Sequence, residues 1–160
     1  MLQKIALLGT IGTGIVIGLL WPSPHRSSAS GAAPSGADVV IERSSDHHYY
    51  ADAEVNGHSV HFMIDTGASA TALTEDDAKS VGLAVDPSKY QVIGDGASGM
   101  IRGQPVHLKS IAINGIRQDD AEAVVVEGSS VSLLGQPFLE KVDEIVISDG
   151  EMRLRASRSS

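Results

Sequence analysis

Residues 38–155 read as an all-β domain. Three observations predict it: apolar and polar residues alternate with period two, Asn56-Gly57, Asn114-Gly115 and Asp149-Gly150 punctuate the chain between strand-like runs, and helical signatures are confined to short segments. Residues 49–55 and 58–64 flank Asn56-Gly57, and a two-residue turn there sets Val55 opposite His58, Ala53 opposite Val60 and Ala51 opposite Phe62. One face of that ribbon then carries Val55, Ala53, Val60, Phe62 and Ile64, and this face is core. The other carries Glu54, Asp52, Ser59 and His61. Asn114-Gly115 repeats the signal between residues 110–113 and 121–126, and Asp149-Gly150 between residues 144–148 and 152–154. One short helix interrupts the strands, with Thr74 as N-cap, Glu75, Asp76 and Asp77 in the first turn where the helix dipole favours acids, and Gly82 as the stop. No internal repeat stands at a fixed period.

The flanks differ from this span in composition. Residues 5–21 form an uncharged run of 17 residues, rich in Ile, Leu, Val and Gly, and follow Lys4. That length is the lower limit for crossing a bilayer as a helix and exceeds the roughly 7 to 15 apolar residues of a signal-peptide core. Trp21 stands where an interfacial anchor would, and Lys4 marks the flank that stays in the cytoplasm, which puts the rest of the chain outside. The reading favours an uncleaved transmembrane anchor over residues 1–21. The alternative is a signal segment, with Ala29, Ser30 and Gly31 as small residues for cleavage and a secreted domain as the product. Residues 22–37 are rich in Ser, Ala, Gly and Pro and read as a linker, while residues 156–160 read as a tail. The span between, about 115 residues, is one domain.

Charge and composition exclude several functions. With 12 basic and 20 acidic residues the chain carries a formal charge of -8. Every acid lies after residue 37, so the domain itself is acidic and a poor match for nucleic acid. The absence of cysteine removes a disulfide framework, a thiolate nucleophile and sulfur ligands for zinc. His47, His48, His58 and His61 cluster in sequence, but the hairpin sends His58 and His61 to opposite faces, so no metal site and no cofactor is expected. Asp76-Asp77 and Asp119-Asp120 read as solvated acids, since neither pair sits in a loop of alternating oxygen donors. No Gly-x-Ser-x-Gly elbow is present.

The segment that carries chemistry is Phe62-Met63-Ile64-Asp65-Thr66-Gly67-Ala68-Ser69. A hydrophobic strand runs straight into Asp65, small residues follow, and then come Leu73 and the helix. Such a turn holds a carboxylate at the end of a rigid strand, and Gly67 lets backbone approach it closely. Further on come the Gly-rich Ile93-Gly94-Asp95-Gly96-Ala97-Ser98-Gly99 and the apolar Leu133-Leu134-Gly135. In this order the three segments resemble the single-domain, retropepsin-like aspartic proteases of bacteria, over roughly residues 49–154.

The resemblance implies a single-lobe acid-protease fold in which Asp65 is catalytic, Thr66 hydrogen-bonds across a dimer beneath the dyad, and Gly67 presents backbone to substrate. It makes residues 93–99 the flap hairpin over the substrate, although no tyrosine stands there. It makes residues 133–135 a strand that crosses beneath the catalytic loop, with a short helix at residues 137–140. Family members are commonly membrane-anchored, which places this domain on the periplasmic side of a bacterial inner membrane. Peptide hydrolysis needs two carboxyl groups close enough that only one ionises: the charged one takes a proton from water while the neutral one polarises the peptide carbonyl. The chain holds one Asp-Thr-Gly. The expectation is therefore an aspartic endopeptidase whose second Asp65 comes from a homodimer, acting on a peptide or protein substrate. The rival expectation is a module that keeps the fold and holds a peptide, or a second copy, without cutting.

Overall fold

A computed structural model describes residues 36–96 and 99–157. Its strands are β1 (Gly36–Glu42), β2 (Tyr50–Val55), β3 (His58–Ile64), β4 (Thr71–Leu73), β5 (Gln91–Gly96), β6 (Gly99–Ile113), β7 (Ile116–Val126), β8 (Ser132–Leu134), β9 (Glu144–Ser148) and β10 (Glu151–Ser157). Two short helices interrupt them, α1 (Glu75–Ser80) and α2 (Gln136–Leu139), with a single 3₁₀ turn at Pro87–Lys89. The all-β expectation holds.

The three turn signals each close a hairpin. Asn56 and Gly57 both have positive φ (52° and 90°), as do Asn114 and Gly115 (43° and 91°) and Asp149 and Gly150 (51° and 81°), the conformation that matches the twist of paired strands. The first hairpin has the expected register, with Ala53 opposite Val60 and Ala51 opposite Phe62. Val55, Ala53, Val60, Phe62 and Ile64 are buried, whereas Glu54, Asp52, Ser59 and His61 are exposed. His61 lies on the outer face, paired with Asp52 at 2.7 Å and stacked on Tyr50. Among the described residues no group of three or more His, Asp or Glu is placed to hold a metal ion.

Seven strands form one sheet in the order β2-β3-β8-β4-β7-β6-β5. The sheet curls until β6 also meets β2, through Glu54↔Ala112 and Val55↔Ile111. Phe62, Leu108, Ile111, Val125, Leu134 and Phe138 are fully buried inside it. Beyond the curled part, β5 and the first residues of β6 continue as a projecting hairpin. Residues 99–102 are exposed on both faces for that reason, and so show no period-two pattern. The alternation that marks residues 110–113 therefore does not extend to the start of this 15-residue strand.

A second sheet has the order β1-β10-β9 and packs Val39, Ile41, Met152 and Leu154 on the same core. Its ladder extends past both ends of the expected domain. Gly36 and Ala37, read as linker, pair with Ser157 and Ala156, read as tail. Backbone pairing does not depend on side-chain size, and Ala156 is buried besides. Residues 1–21, expected to form the membrane segment, lie outside the described residues. Among the described ones no helix is long and apolar enough to cross a membrane.

Helix α1 follows its signals. Thr74 Oγ1 accepts from the Asp77 N–H at 3.1 Å, and Gly82 ends the helix at φ 79°. The same residues anchor α1 to β8: Thr74 Oγ1 donates to Asp77 Oδ2 at 2.8 Å, the buried Ser132 hydroxyl donates to that oxygen, and Ser132 Oγ accepts from the Thr74 N–H at 3.0 Å. Helix α2 begins at Gln136, one residue before the expected 137–140, with Pro137 in its first turn.

Candidate active site

The Asp-Thr-Gly turn hangs from the end of β3. β8 lies between β3 and β4, parallel to the first through Met63↔Leu133 and Ile64↔Leu134 and antiparallel to the second through Ala72↔Leu133. Leu133 and Leu134 are therefore flanked by the strands that enter and leave the turn. The Asp65 N–H donates to the Leu134 carbonyl at 3.1 Å, which fixes the backbone of the aspartate on the sheet. The Asp65 carboxylate is half-buried, and its Oδ1 accepts from the Gly67 N–H at 2.8 Å. A Cβ on Gly67 would lie 3.2 Å from that oxygen, closer than ordinary van der Waals contact. A small residue at this position keeps the carboxylate in place with a backbone donor alone. Thr66 is exposed at the apex.

Gly135 is buried where the two chain segments cross. A Cβ there would fall 2.2 Å from the Ala70 carbonyl oxygen and 2.7 Å from that of Ala68. No side chain fits. Gln136 completes the support: its N–H donates to the Ala68 carbonyl at 2.9 Å, and its side-chain amide donates to the Thr66 carbonyl. The turn is thus held on both sides of Gly67. Gln136 stands just outside the Leu133-Leu134-Gly135 motif, and its signal in the sequence is a long amide at the first helical position.

The turn and the projecting hairpin enclose one cleft of about 730 Å³. Asp65, Gly67, Ala68 and Ser69 line it from the turn, Leu133 from β8, and Ile93, Gly94, Asp95 and Gly99 from the hairpin. Gly96 closes the hairpin opposite Gly99. Ala97 and Ser98, the remaining expected flap residues, lie outside the described residues. Residues 93–95 and 99 thus line the same cleft as Asp65.

The base of the hairpin is braced. The Arg102 guanidinium donates to Glu127 at 3.1 Å and to the Tyr90 carbonyl at 3.2 Å, and the Glu127 N–H returns a bond to the Arg102 carbonyl at 2.9 Å. Burial, followed by its bond to Glu75 Oε1 at 3.0 Å, pushes the Tyr90 hydroxyl up to about 12, so it remains a donor. The sequence offered no signal for this brace, because Arg102 on β6 and Glu127 in the turn after β7 are 25 residues apart.

A curled sheet with an Asp-Thr-Gly turn, a strand threaded beneath it and a hairpin above defines the retropepsin-like aspartic protease fold. The chain belongs to the gag-polyprotein putative aspartyl protease family, whose family model matches residues 51–141. It is similar to the crystal structure of a retropepsin-like aspartic protease from Rickettsia conorii, at 31% identity and a TM-score of 0.63, over 76% of this chain and 91% of that one. EIAV protease, solved with the inhibitor HBY-793, shares the fold at 20% identity and a TM-score of 0.51, over 62% of this chain and 91% of its own. An uncharacterized protein of Rickettsia prowazekii (strain Madrid E) is 35% identical over 79% of this chain, and one of Sinorhizobium is 30% identical over 90%. The chain spans 52% and 61% of those two relatives.

Proposed function

We propose that this protein is an aspartic endopeptidase assembled from two copies of the chain, each supplying one Asp65. The observation that carries the reading is the placement of a half-exposed Asp65 carboxylate in the cleft beneath the β5–β6 hairpin. One chain brings one such carboxylate, and the chemistry needs two. A two-fold axis between the carboxylates would set the pair side by side, with the exposed Thr66 of each turn facing the other copy. The pair then holds one proton, and its titration belongs to both members. The charged carboxylate takes a proton from water as the water oxygen attacks the peptide carbonyl carbon. The neutral one gives its proton to the carbonyl oxygen. Collapse of the tetrahedral adduct breaks the C–N bond as a proton passes to the leaving nitrogen. The substrate is a peptide or protein.

Dimerisation makes activity depend on concentration. For the chain trimmed to start at Ala32, which retains all of β1, specific activity is expected to fall on dilution in step with the dimer fraction measured by sedimentation. A strictly monomeric sample with undiminished specific activity would remove the shared dyad. Binding of a pepstatin-type inhibitor without cleavage of any peptide would instead favour a non-catalytic peptide-binding module.

The uncharged run at residues 5–21 supports an anchor in a bacterial inner membrane, with the catalytic domain on the periplasmic side. Full-length chain should then stay with the membranes through alkaline extraction. Its release into the supernatant would discard the anchor.

A further inference from the structure

The charges around the cleft do not cancel. Arg102, the one cation among its described lining residues, is already engaged by Glu127 and by the Tyr90 carbonyl. Asp95 lines the same cleft from β5 and is exposed. Among the described residues nothing donates a hydrogen bond or an ion pair to its carboxylate. The flap side of the cleft therefore presents an uncompensated negative charge.

The residue across the hairpin decides what kind of group fits there. Asp95 pairs with Met100, so the two side chains project from one face of the hairpin with Cβ atoms about 5 Å apart. Met100 lines the cleft and is 71% exposed, a long flexible apolar side chain with little packed against it. A carboxylate next to an exposed thioether stem complements a side chain that is itself apolar along its length and cationic at its end. Lysine and arginine have that form: three or four methylenes can lie along Met100 while the head meets Asp95. An acidic side chain would be repelled. A neutral one would lose the charge contact.

We propose that Asp95 and Met100 form a specificity subsite that takes a lysine or arginine side chain of the substrate peptide. The proposal rests on the reading of this cleft as a peptide-binding site. In a two-copy enzyme each flap would carry one such subsite. The contact is electrostatic at a partly open surface, so rising ionic strength weakens it.

The test uses the full chain and a set of peptides that differ at one position at a time by Lys, Gln or Glu. The readout is the ratio of kcat/KM for the Lys peptide to that for the Gln peptide, together with the same ratio of binding affinities for the Asp65→Asn chain, measured by fluorescence anisotropy. At one position the native chain should prefer Lys by about fivefold or more, the size expected of a partly exposed ion pair. Asp95→Asn should bring the ratio close to one, and Asp95→Lys should turn the preference toward Glu. A ratio near one at every position in the native chain, or an unchanged ratio in Asp95→Asn, overturns the subsite. If no peptide is cut but binding shows a Lys preference that Asp95→Asn erases, the subsite stands and the peptidase reading falls.

Discussion

Replacing Asp65 with asparagine should lower kcat/KM for peptide cleavage by at least about a thousandfold, the scale on which general acid-base groups contribute. The substitution is informative because it is nearly isosteric. The amide oxygen of the variant side chain could still accept the Gly67 N–H, which now lies 2.8 Å from Asp65 Oδ1, so the turn has no reason to rearrange. What disappears is the carboxylate to which the proposed mechanism gives a proton from water. A dyad built from two such chains would hold two amides and no shared proton. Denaturant unfolding should place the variant within roughly 1 kcal/mol of the native chain, as for most substitutions that leave packing intact. Undiminished cleavage by a well-folded Asp65→Asn chain would take Asp65 out of the mechanism.

The second large effect belongs to a residue with no side chain. Gly135→Ala should destabilise the domain by about 3 kcal/mol, at the upper end of overpacking costs, and should reduce cleavage as well. The new methyl carbon would meet backbone oxygens of Ala70 and Ala68 at 2.2 and 2.7 Å, and backbone cannot rotate away as a side-chain tip can. Relief requires the turn and β8 to separate. That motion breaks the bonds from Asp65 N to the Leu134 carbonyl and from Gln136 N to the Ala68 carbonyl. Stability and cleavage should fall together because the same bonds position Asp65. A denaturation midpoint and cleavage rate equal to the native values would show that the crossing tolerates a methyl group after all.

Much of this was legible in the chain because the determinants are local. Asn56-Gly57, Asn114-Gly115 and Asp149-Gly150 each fix a turn with two residues, and a turn fixes the register of its strands. Thr74 to Gly82 carries its own start and stop. The motifs at Asp65 and Leu133 came paired by resemblance, and the β3–β8 ladder brings them together. Legibility ended where contacts span long stretches of chain. The domain boundary was set two residues too late because Gly36 and Ala37 have nothing to alternate, and only the partner strand reveals their place. Arg102, Glu127 and Tyr90 look like ordinary surface residues until β6 and β7 lie side by side. Gln136 was hidden for a simpler reason. Its side chain reaches back across 70 residues to the Thr66 carbonyl, and no periodicity encodes that.

The pairing of β1 with β10 has a mechanical consequence. Gly36 sits opposite Ser157, so the chain enters and leaves at the same end of one antiparallel ladder. Tension between the preceding and following segments therefore does not slide the two strands past each other with all their hydrogen bonds loaded at once. It loads the Gly36–Ser157 rung first, then Ala37–Ala156, then each rung in turn. Pulled by its ends, the small sheet opens like a zipper.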